Sequence, residues 1–428
     1  MLATSTAPVK PQRLSPALAR ILALLAISVF INYIDRGNLS IAAPLLKDEL
    51  GLSASRLGIL LSSFFWTYAS FQLISGWLVD RFEVGWVMAA GFFLWSTATA
   101  VTGAVHGFAL LLAVRLMLGI GESVAYPSYS KILARYFSEE NRGFANSVIV
   151  AGNTLGPGFG MFLGGMLMAR YGWRSFFIVL GLVSLAWLLP WLRWMPREQT
   201  VPTVAPATTQ IATNLVANPG LIEILRQRSA WGSCAGLFCT NYVAYFVITW
   251  LPFYLVRGRH FSMDQMARIA GASYLSAAFM SILGGWISDR WIVAGASPTR
   301  VRKTFIGVGM TCVAVFLACC VASKSTLSEV MLVMAMASFG MCSSNMWGIT
   351  QTLAGPQAAG RWTGFQNFFG NLAGVVAPAL TGFIVDRTGE FFWAFAITAG
   401  VALLGAWSWV FFVGPIRQIE WGQKLERS

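Results

Sequence analysis

Gly76-Trp77-Leu78-Val79-Asp80-Arg81 ends one long apolar segment of the chain, and Gly285-Trp286-Ile287-Ser288-Asp289-Arg290 ends another. The shared pattern Gly-Trp-x-x-Asp-Arg therefore recurs after 209 residues. A weaker repeat relates Gly165…Arg170 to Gly382…Arg387, each at the end of a later apolar segment. Repeats at equivalent points of two halves indicate that the halves share a fold and run parallel to each other.

The composition around these repeats is that of a membrane protein. Hydrophobic residues make up 56% of the 428 residues and charged residues only 11%, whereas soluble proteins are about a quarter charged. About twelve apolar segments approach the ~20 residues needed to cross a bilayer. We therefore predict an all-α polytopic membrane protein with 12 transmembrane helices in two six-helix halves. The predicted segments are 18–45, 56–78, 85–105, 108–135, 142–169, 173–195, 229–256, 265–290, 302–323, 327–354, 360–386 and 391–416.

Polar stretches divide the chain into five parts. The longest, 196–228, contains several prolines and threonines, which indicates a linker between the halves. No cleavable signal peptide is evident, because the first residues are polar and proline-rich. The predicted parts are a cytoplasmic N-terminal tail (1–17), an N-terminal six-helix bundle (18–195), a cytoplasmic linker (196–228), a C-terminal six-helix bundle (229–416) and a cytoplasmic C-terminal tail (417–428).

The net charge of +13 reflects membrane orientation rather than nucleic-acid binding. With the N-terminus inside, 19 of the 30 Lys and Arg residues lie in cytoplasmic segments and 9 in external ones, as the positive-inside rule requires. The basic excess also attracts anionic lipid. We therefore expect a multi-pass protein of a plasma membrane, specifically a bacterial inner membrane, with both termini in the cytoplasm, the lipid bilayer as a partner and no nucleic-acid partner.

Four charges lie inside apolar runs, where a charge costs several kcal/mol unless it is paired, protonated or hydrated. They are Asp35 and Arg36 on the first segment, and Arg115 and Glu122 on the fourth. Arg115 and Glu122 lie about 10 Å apart along one helix face, whereas Asp35 and Arg36 point about 100° apart. We expect Arg115 to pair with Asp35 or Glu122, and Arg36 to face a substrate.

These charges favour an anionic substrate coupled to a proton. An arginine stays ionised and presents a planar fork suited to a carboxylate. Desolvation favours the neutral form of a carboxyl group and a nearby arginine favours its ionised form, so an arginine that moves can switch proton affinity. A static salt bridge that locks the N-terminal half is the alternative. Four charges are more than a lock requires, and buried ion pairs contribute little stability.

Three stretches, together with the repeat at 76–81, carry a family resemblance. They are Asn32-Tyr33-Ile34-Asp35-Arg36, Gly119-Ile120-Gly121-Glu122-Ser123-Val124-Ala125-Tyr126-Pro127 and the run from Asn241 to Tyr254, NYVAYFVITWLPFY. Over nearly its whole length the chain resembles the anion:cation symporter family of the major facilitator superfamily. That family includes transporters for sugar acids (galactonate, glucarate and hexuronates), phthalate-type acids and, more distantly, sialin and vesicular glutamate transporters.

The resemblance implies roles for individual residues. Asp35 and Glu122 match the proton-coupling carboxylates. Asp80 and Arg81 match the loop motif whose aspartate caps a neighbouring helix and helps hold the outward-facing state, and Asp289 with Arg290 repeats this gating pair. The family motif continues with Gly and two basic residues, where this chain has Phe82-Glu83-Val84-Gly85. At the position where sugar-acid members carry glutamine, this chain has the shorter Asn153.

Polar and aromatic side chains in mid-helix complete the expected substrate site, although such side chains can also join helices by hydrogen bonds. In the N-terminal half we expect substrate contacts from Arg36, Arg115, Tyr33, Tyr68 and Asn153. In the C-terminal half we expect them from Asn241, Tyr242, Tyr245, Ser343, Ser344, Asn345, Trp347, Asn367 and Asn371.

The function we predict is proton-coupled symport (uptake) of a small organic anion, such as a hexonate, hexarate or hexuronate, by alternating access. We expect a monomer with no cofactor and no metal, the proton being the coupling ion. The sequence has no P-loop, metal cluster or nucleophile motif, so neither an enzyme nor an ATP-driven pump is expected. The six cysteines fit apolar packing.

Other functions stay open. Gly152-x-x-x-Gly156-Pro157-Gly158-x-Gly160 is similar to the fifth-helix motif of proton-driven drug antiporters, although small residues also allow close helix packing. An organic-anion exchanger or a proton-driven exporter of the same fold is therefore the second prediction. A Na⁺-driven transporter and a membrane sensor are further alternatives.

Overall fold

The computed structural model describes residues 15–137, 139–195, 221–322 and 327–421, and within these it is helical with no strand. Residues 1–14 of the predicted N-terminal tail, 196–220 of the predicted linker and 422–428 of the predicted C-terminal tail lie outside them. The first half contains α1 (Pro16–Leu50), α2 (Ala54–Arg81), α3 (Val84–Ala104), α4 (Phe108–Ser123), α5 (Ala125–Tyr136), α6 (Glu139–Phe159), a π-helical turn (Gly160–Gly164), α7 (Gly165–Ala186) and α8 (Leu188–Trp194).

The second half begins with the short α9 (Leu221–Leu225). Long helices and two further π-helical turns follow: α10 (Arg228–Phe253), a π-helical turn (Tyr254–Gly258), α11 (Met263–Val293), α12 (Pro298–Ala322), α13 (Leu327–Thr388), α14 (Phe392–Trp407) and a π-helical turn (Ser408–Phe412).

Twelve membrane crossings follow from these helices. Ten stretches of the described chain are long and apolar enough to span a bilayer, with Leu327–Gly355 and Trp362–Thr388 of α13 counted separately. One of the ten, Val148–Trp194, makes two crossings because Gly172 has φ 79° and turns the chain back. The 28-residue α2 is the twelfth crossing and is rich in Ser and Thr. The predicted fold of 12 transmembrane helices in two six-helix halves is confirmed.

The fourth predicted segment is broken at Val124, which separates α4 from α5. Pro127 explains the break, because proline has no N–H and cannot donate to the carbonyl of Ser123, four residues earlier. Glu122 consequently lies in the last turn of α4, next to a bend. The two helices still form a single membrane span, Phe108–Leu133, in agreement with the predicted segment 108–135.

The glycine row of α6 packs that helix against α1. A Cβ atom at Gly156 would lie 2.6 Å from the Cβ of Tyr33, and one at Gly152 would lie 3.1 Å from the carbonyl oxygen of Ala26. A larger side chain would not fit at these positions without displacing α1. The Gly-Pro stretch of the sequence therefore allows close packing of α6 against α1. The same close approach brings Asn153 to the level of Tyr33.

The two halves contact each other at the end of the molecule where α1 ends and α2 begins, which we call the α1–α2 end. A Cβ atom at Gly58 of α2 would lie 2.6 Å from the carbonyl oxygen of Pro378 on α13. The backbone N–H of Ala54 donates to a carboxylate oxygen of Asp386 at 3.0 Å. Arg257 forms an ion pair with Asp48 in the same region.

Candidate functional site

A cavity of about 300 Å³ lies between the two halves. Side chains from α1, α2, α4 and α6 form one wall, and side chains from α10, α11 and α13 form the other. Eight of the predicted substrate residues line it. They are Tyr33, Arg36, Arg115, Asn153, Asn241, Tyr245, Ser343 and Trp347.

Arg36 is shared between the cavity and a buried ion pair. Its Nε donates to Oε2 of Glu122 at 3.1 Å, and the Glu122 side chain is fully buried. The prediction that Arg115 pairs with Asp35 or Glu122 is therefore wrong for Glu122, whose ion-pair partner is Arg36. Two helical turns separate Arg115 from Glu122 on α4, whereas Arg36 on α1 lies directly opposite the carboxylate.

Arg115 is buried and faces the cavity. Within the described part of the chain it forms no ion pair, with Asp35 or with Glu122, and its Nε has no hydrogen-bond partner. Both arginines contact the ring of Phe64, since the guanidinium carbon of each is 5.4 Å from the ring centroid. The cavity wall thus presents two guanidinium groups, one engaged with a carboxylate and one not.

Aromatic rings fix the position of Arg36. Its guanidinium carbon lies 4.5 Å from the ring centroid of Tyr68 and 4.8 Å from that of Tyr33, which is cation–π range. Tyr68 stacks on Phe64 and does not line the cavity. The structure therefore places Tyr68 behind Arg36, where it supports the arginine, instead of in contact with the cavity.

Asp35 lies behind the cavity wall in a buried polar cluster. It is 1% exposed, and its Oδ1 accepts a hydrogen bond from Asn38 at 3.4 Å. Neither Asp35 nor Glu122 is among the residues that line the cavity. Several atoms of this cluster have no hydrogen-bond partner among the described residues: Asp35 Oδ2, Glu122 Oε1, Asn38 Oδ1, Thr99 Oγ1 and both amide atoms of Asn32.

Tyr126 organises the N-terminal wall and is not among the site residues predicted from the sequence. Its hydroxyl lies 3.0 Å from the hydroxyl of Tyr33 and accepts a hydrogen bond from Nδ2 of Asn153, also at 3.0 Å. The residue lies in the fourth-segment stretch that carries the family resemblance. Its position one residue before Pro127, just past the helix break, was the available indication.

Several predicted substrate residues of the second half do not reach the cavity. Tyr242 is buried against Ala373 and Ala377. Asn345 accepts a hydrogen bond from Ser288 at 2.7 Å, which joins α13 to α11. The half-buried Asn367 and the buried Asn371 also lie outside the lining, and the side chain of Ser344 is outside the described part. That a polar residue lies in the middle of a helix does not by itself show whether its side chain faces the cavity or a neighbouring helix.

One of these positions acts through a neighbour, and some lining residues were not predicted. Asn371 accepts a hydrogen bond from the hydroxyl of Tyr245 at 2.8 Å and so orients a lining side chain. Tyr274 of α11 lines the cavity, and a tyrosine within that apolar helix was a usable indication. Thr240 and Thr249 of α10 line it as well.

The predicted gating residues lie at the ends of α2 and α11. Arg81, Asp289 and Arg290 are exposed, and Arg290 covers the ring of Trp286 at 4.3 Å. The side chain of Asp80 lies outside the described residues. Lys131 of α5 donates to the carbonyl oxygen of Val79, so a cation closes the last turn of α2.

The described residues contain no group of three His, Cys, Asp or Glu side chains that could hold a metal ion. The six cysteines are free thiols in the helices.

Comparisons with known proteins agree with this architecture. The family model described as "Major Facilitator Superfamily" matches residues 25–378. The "Hexuronate transporter" of Bacillus subtilis (strain 168) is 30% identical over 394 residues, which cover 90% of this chain and 92% of that protein. The "Probable L-galactonate transporter" of Escherichia coli (strain K12) is 30% identical over 398 residues, covering 91% and 88%. The "Probable sulfoacetate transporter SauU" of Cupriavidus necator is 28% identical over 411 residues, covering 94% of each.

Solved structures show the same fold. A bacterial homolog to the human lysosomal transporter Spinster, in an inward-facing and unoccupied conformation, aligns with a TM-score of 0.75 and 19% identity. The alignment covers 94% of this chain and 95% of that one. At this identity the likeness concerns the fold.

Proposed function

Because this chain belongs to the major facilitator superfamily and to its anion:cation symporter family, we propose that it takes up a small organic anion together with a proton. The observation that carries the proposal is the cavity wall formed by the two arginines. Arg115 faces the cavity without an ion pair, and Arg36 faces it while paired with Glu122. Guanidinium groups bind carboxylates through paired, charge-assisted hydrogen bonds.

Competition for Arg36 couples the anion to the proton. A substrate carboxylate that binds Arg36 draws the guanidinium away from Glu122. Because Glu122 is fully buried, it is then a carboxylate without a counter-ion, and its ionised form becomes costly. Glu122 therefore takes up a proton when the anion binds. Asp35, buried beside it with one unpartnered oxygen, is the second proton site.

We propose that alternating access carries the anion and the proton across the membrane together. The halves contact each other at the α1–α2 end, and the positive-inside rule assigns that end to the outside and both termini to the cytoplasm. This conformation is then closed to the outside. Rocking of the two halves about the cavity transfers substrate to the cytoplasm. We infer a monomer of a bacterial inner membrane.

The relatives indicate which anions to test first. Their names give hexuronate, L-galactonate and galactarate or D-glucarate as cargo, so sugar acids are the first candidates for this chain. The N-terminal wall suits the carboxylate of any of these compounds, since Arg36 and Arg115 recognise the acid and not the carbon chain.

The test is uptake into proteoliposomes under an imposed pH gradient. The wild-type protein should concentrate its substrate when the outside is acidic. Glu122→Gln should lose this proton-driven accumulation and retain counterflow of labelled substrate, because the amide is neutral at every pH and the cavity is intact. Full accumulation by Glu122→Gln would remove Glu122 from the coupling role.

The same assay separates the alternatives. Counterflow without any response to the pH gradient in the wild-type protein would favour an organic-anion exchanger. Accumulation that follows a Na⁺ gradient at constant pH would identify Na⁺ as the coupling ion. Ligand binding without movement would indicate a sensor.

A further inference from the structure

The cavity is charged on one wall only. Of the described residues that line it, the charged ones are Arg36 and Arg115, and both belong to the N-terminal half. The facing wall, from α10, α11 and α13, contributes uncharged side chains. A ligand with a charged group at one end and a neutral body fits this division.

The placement of the charges suits a ligand with one carboxylate. Both guanidinium groups of the cavity, those of Arg36 and Arg115, lie on the N-terminal wall. A second carboxylate at the other end of the ligand would have to enter the uncharged wall, where a desolvated charge is costly. This placement therefore favours a monocarboxylate over a dicarboxylate.

Four of the five hydroxyl groups on the facing wall are committed to protein acceptors. They belong to Thr240, Tyr245, Thr249 and Ser343. The other polar side chains of this wall, which can contact a ligand, are Asn241, Tyr274 and Trp347. A ligand with a hydroxyl on nearly every carbon carries more oxygens than these three side chains can match, so several of its oxygens would be left without a partner.

Apolar surface fills the rest of that wall. Ile248, Met336, Phe339 and Met346 line the cavity from α10 and α13. At about 300 Å³ the cavity is at the lower limit of the range usual for small-molecule sites, ~300–1,000 Å³. A compact apolar group would remove this surface from water, whereas a polyol chain would pay for desolvation of its hydroxyl groups.

We propose that the preferred substrate is a monocarboxylate with a compact apolar body, such as an aryl or branched alkyl acid. Its carboxylate binds Arg115 and Arg36, and its body lies against the wall formed by α10 and α13. The inference rests on the proposed function and narrows its substrate. It distinguishes this chain from relatives whose names give sugar acids as cargo.

The experiment measures binding to the purified full-length protein by isothermal titration calorimetry. The probes are benzoate and phenylacetate, the sugar acids galactonate and glucuronate, the dicarboxylates phthalate and glucarate, and the neutral benzamide. We expect the Kd of an aryl monocarboxylate to be at least about tenfold lower than that of any sugar acid or dicarboxylate. Benzamide should not bind, because it has no charge for Arg115.

The outcomes separate the two proposals. If none of the anions binds, organic-anion transport itself fails. If a sugar acid or a dicarboxylate binds more tightly than both aryl acids, the narrower inference is overturned and organic-anion transport stands. If benzamide binds as tightly as benzoate, the arginines are not the recognition element and both proposals fail.

A matched pair of variants tests the apolar wall directly. Met336→Gln changes a lining side chain to a polar one of nearly equal size, and Met336→Leu keeps it apolar. Met336→Gln should reduce the preference for the aryl acid over galactonate by about tenfold, and Met336→Leu should preserve it. Equal preferences in the two variants, both folded by their melting temperatures, would exclude this wall as the source of selectivity.

Discussion

At the scale of single residues, Arg36 both pairs with a buried carboxylate and lines the cavity. Its Nε lies 3.1 Å from Glu122, and the rings of Tyr33 and Tyr68 are within cation–π range. In the proposed mechanism these rings hold the guanidinium while its carboxylate partner changes, and Arg115, which has no ion pair among the described residues, anchors the ligand.

This arrangement predicts a dependence of stability on the Arg36–Glu122 pair. Arg36→Ala leaves a buried carboxylate alone and should destabilise the protein by about 3–5 kcal/mol. Adding Glu122→Gln to Arg36→Ala removes the buried charge and should restore most of the loss. Thermal unfolding of the two single variants and the double variant in detergent measures this. Arg115→Ala is the matched control, because it breaks no ion pair, and its melting temperature should fall less than that of Arg36→Ala.

Two outcomes would contradict the predicted effect on stability. If Arg36→Ala unfolds at the same temperature as the wild type, or if the double variant is no more stable than Arg36→Ala, the pair contributes nothing. The protonated form of Glu122 would then be the one present in the resting protein.

The four buried charges could be predicted because a charged residue within an apolar run is visible in the sequence itself. Their ion-pair partners could not be predicted from the sequence. Which of two arginines meets Glu122 depends on the rotation of α4 and on its break at Val124, and neither is visible in the spacing of residues. The same limit explains Tyr242 and Asn345: both are polar residues in mid-helix, yet they face a neighbouring helix and not the cavity.

At the scale of elements, two charged contacts hold the α1–α2 end closed. Asp386, at the end of α13, accepts the N–H of Ala54 in the first turn of α2 and so caps a helix of the opposite half. Arg257 adds an ion pair with Asp48 and donates to the carbonyl oxygen of Pro44 at 3.3 Å. These contacts must break when that end opens.

Asp386→Ala should therefore shift the conformational equilibrium toward opening at the α1–α2 end. Loss of a helix cap is worth about 1 kcal/mol, which corresponds to about a fivefold change in the population ratio. Spin-label distances across that end measure the shift. Glu390→Ala is the matched control, since Glu390 is an exposed acid four residues further along whose carboxylate caps no helix. Identical distance distributions for Asp386→Ala and Glu390→Ala would show that this cap does not stabilise the contact between the halves at the α1–α2 end.

Helix limits were largely predictable, and the closing contacts were not. Apolar runs end where Ser15, Ser53 and Ser262 cap the next helix, so composition and capping agree at these points. The cap that Asp386 places on α2 joins residues 332 positions apart. Such a contact arises from the packing of two bundles, which no local pattern specifies.

At the scale of the whole molecule, the two halves differ in the charge that they contribute to the site. Buried charge lies in the N-terminal half, at α1 and α4, and the wall contributed by the second half to the cavity is uncharged among the described residues. The repeat at 76–81 and 285–290 predicts two similar folds, and the structure gives them different chemistry. In the proposed function, the N-terminal half binds the charged group and the protons, and the C-terminal half fits the body of the ligand.

Transport through this cavity by alternating access requires the halves to separate at the α1–α2 end. Cysteines placed at Asp48 and Arg257, which form an ion pair across the two halves, should react with a short bifunctional thiol reagent and hold that end closed. Uptake should then be lost, while binding measured on the detergent-purified protein persists because the cavity lies away from the linkage. A cleavable reagent should restore uptake on reduction. Each single-cysteine variant treated in the same way controls for modification of native thiols. Undiminished uptake by the fully cross-linked protein would mean that the halves need not separate there, and alternating access through this cavity would fail.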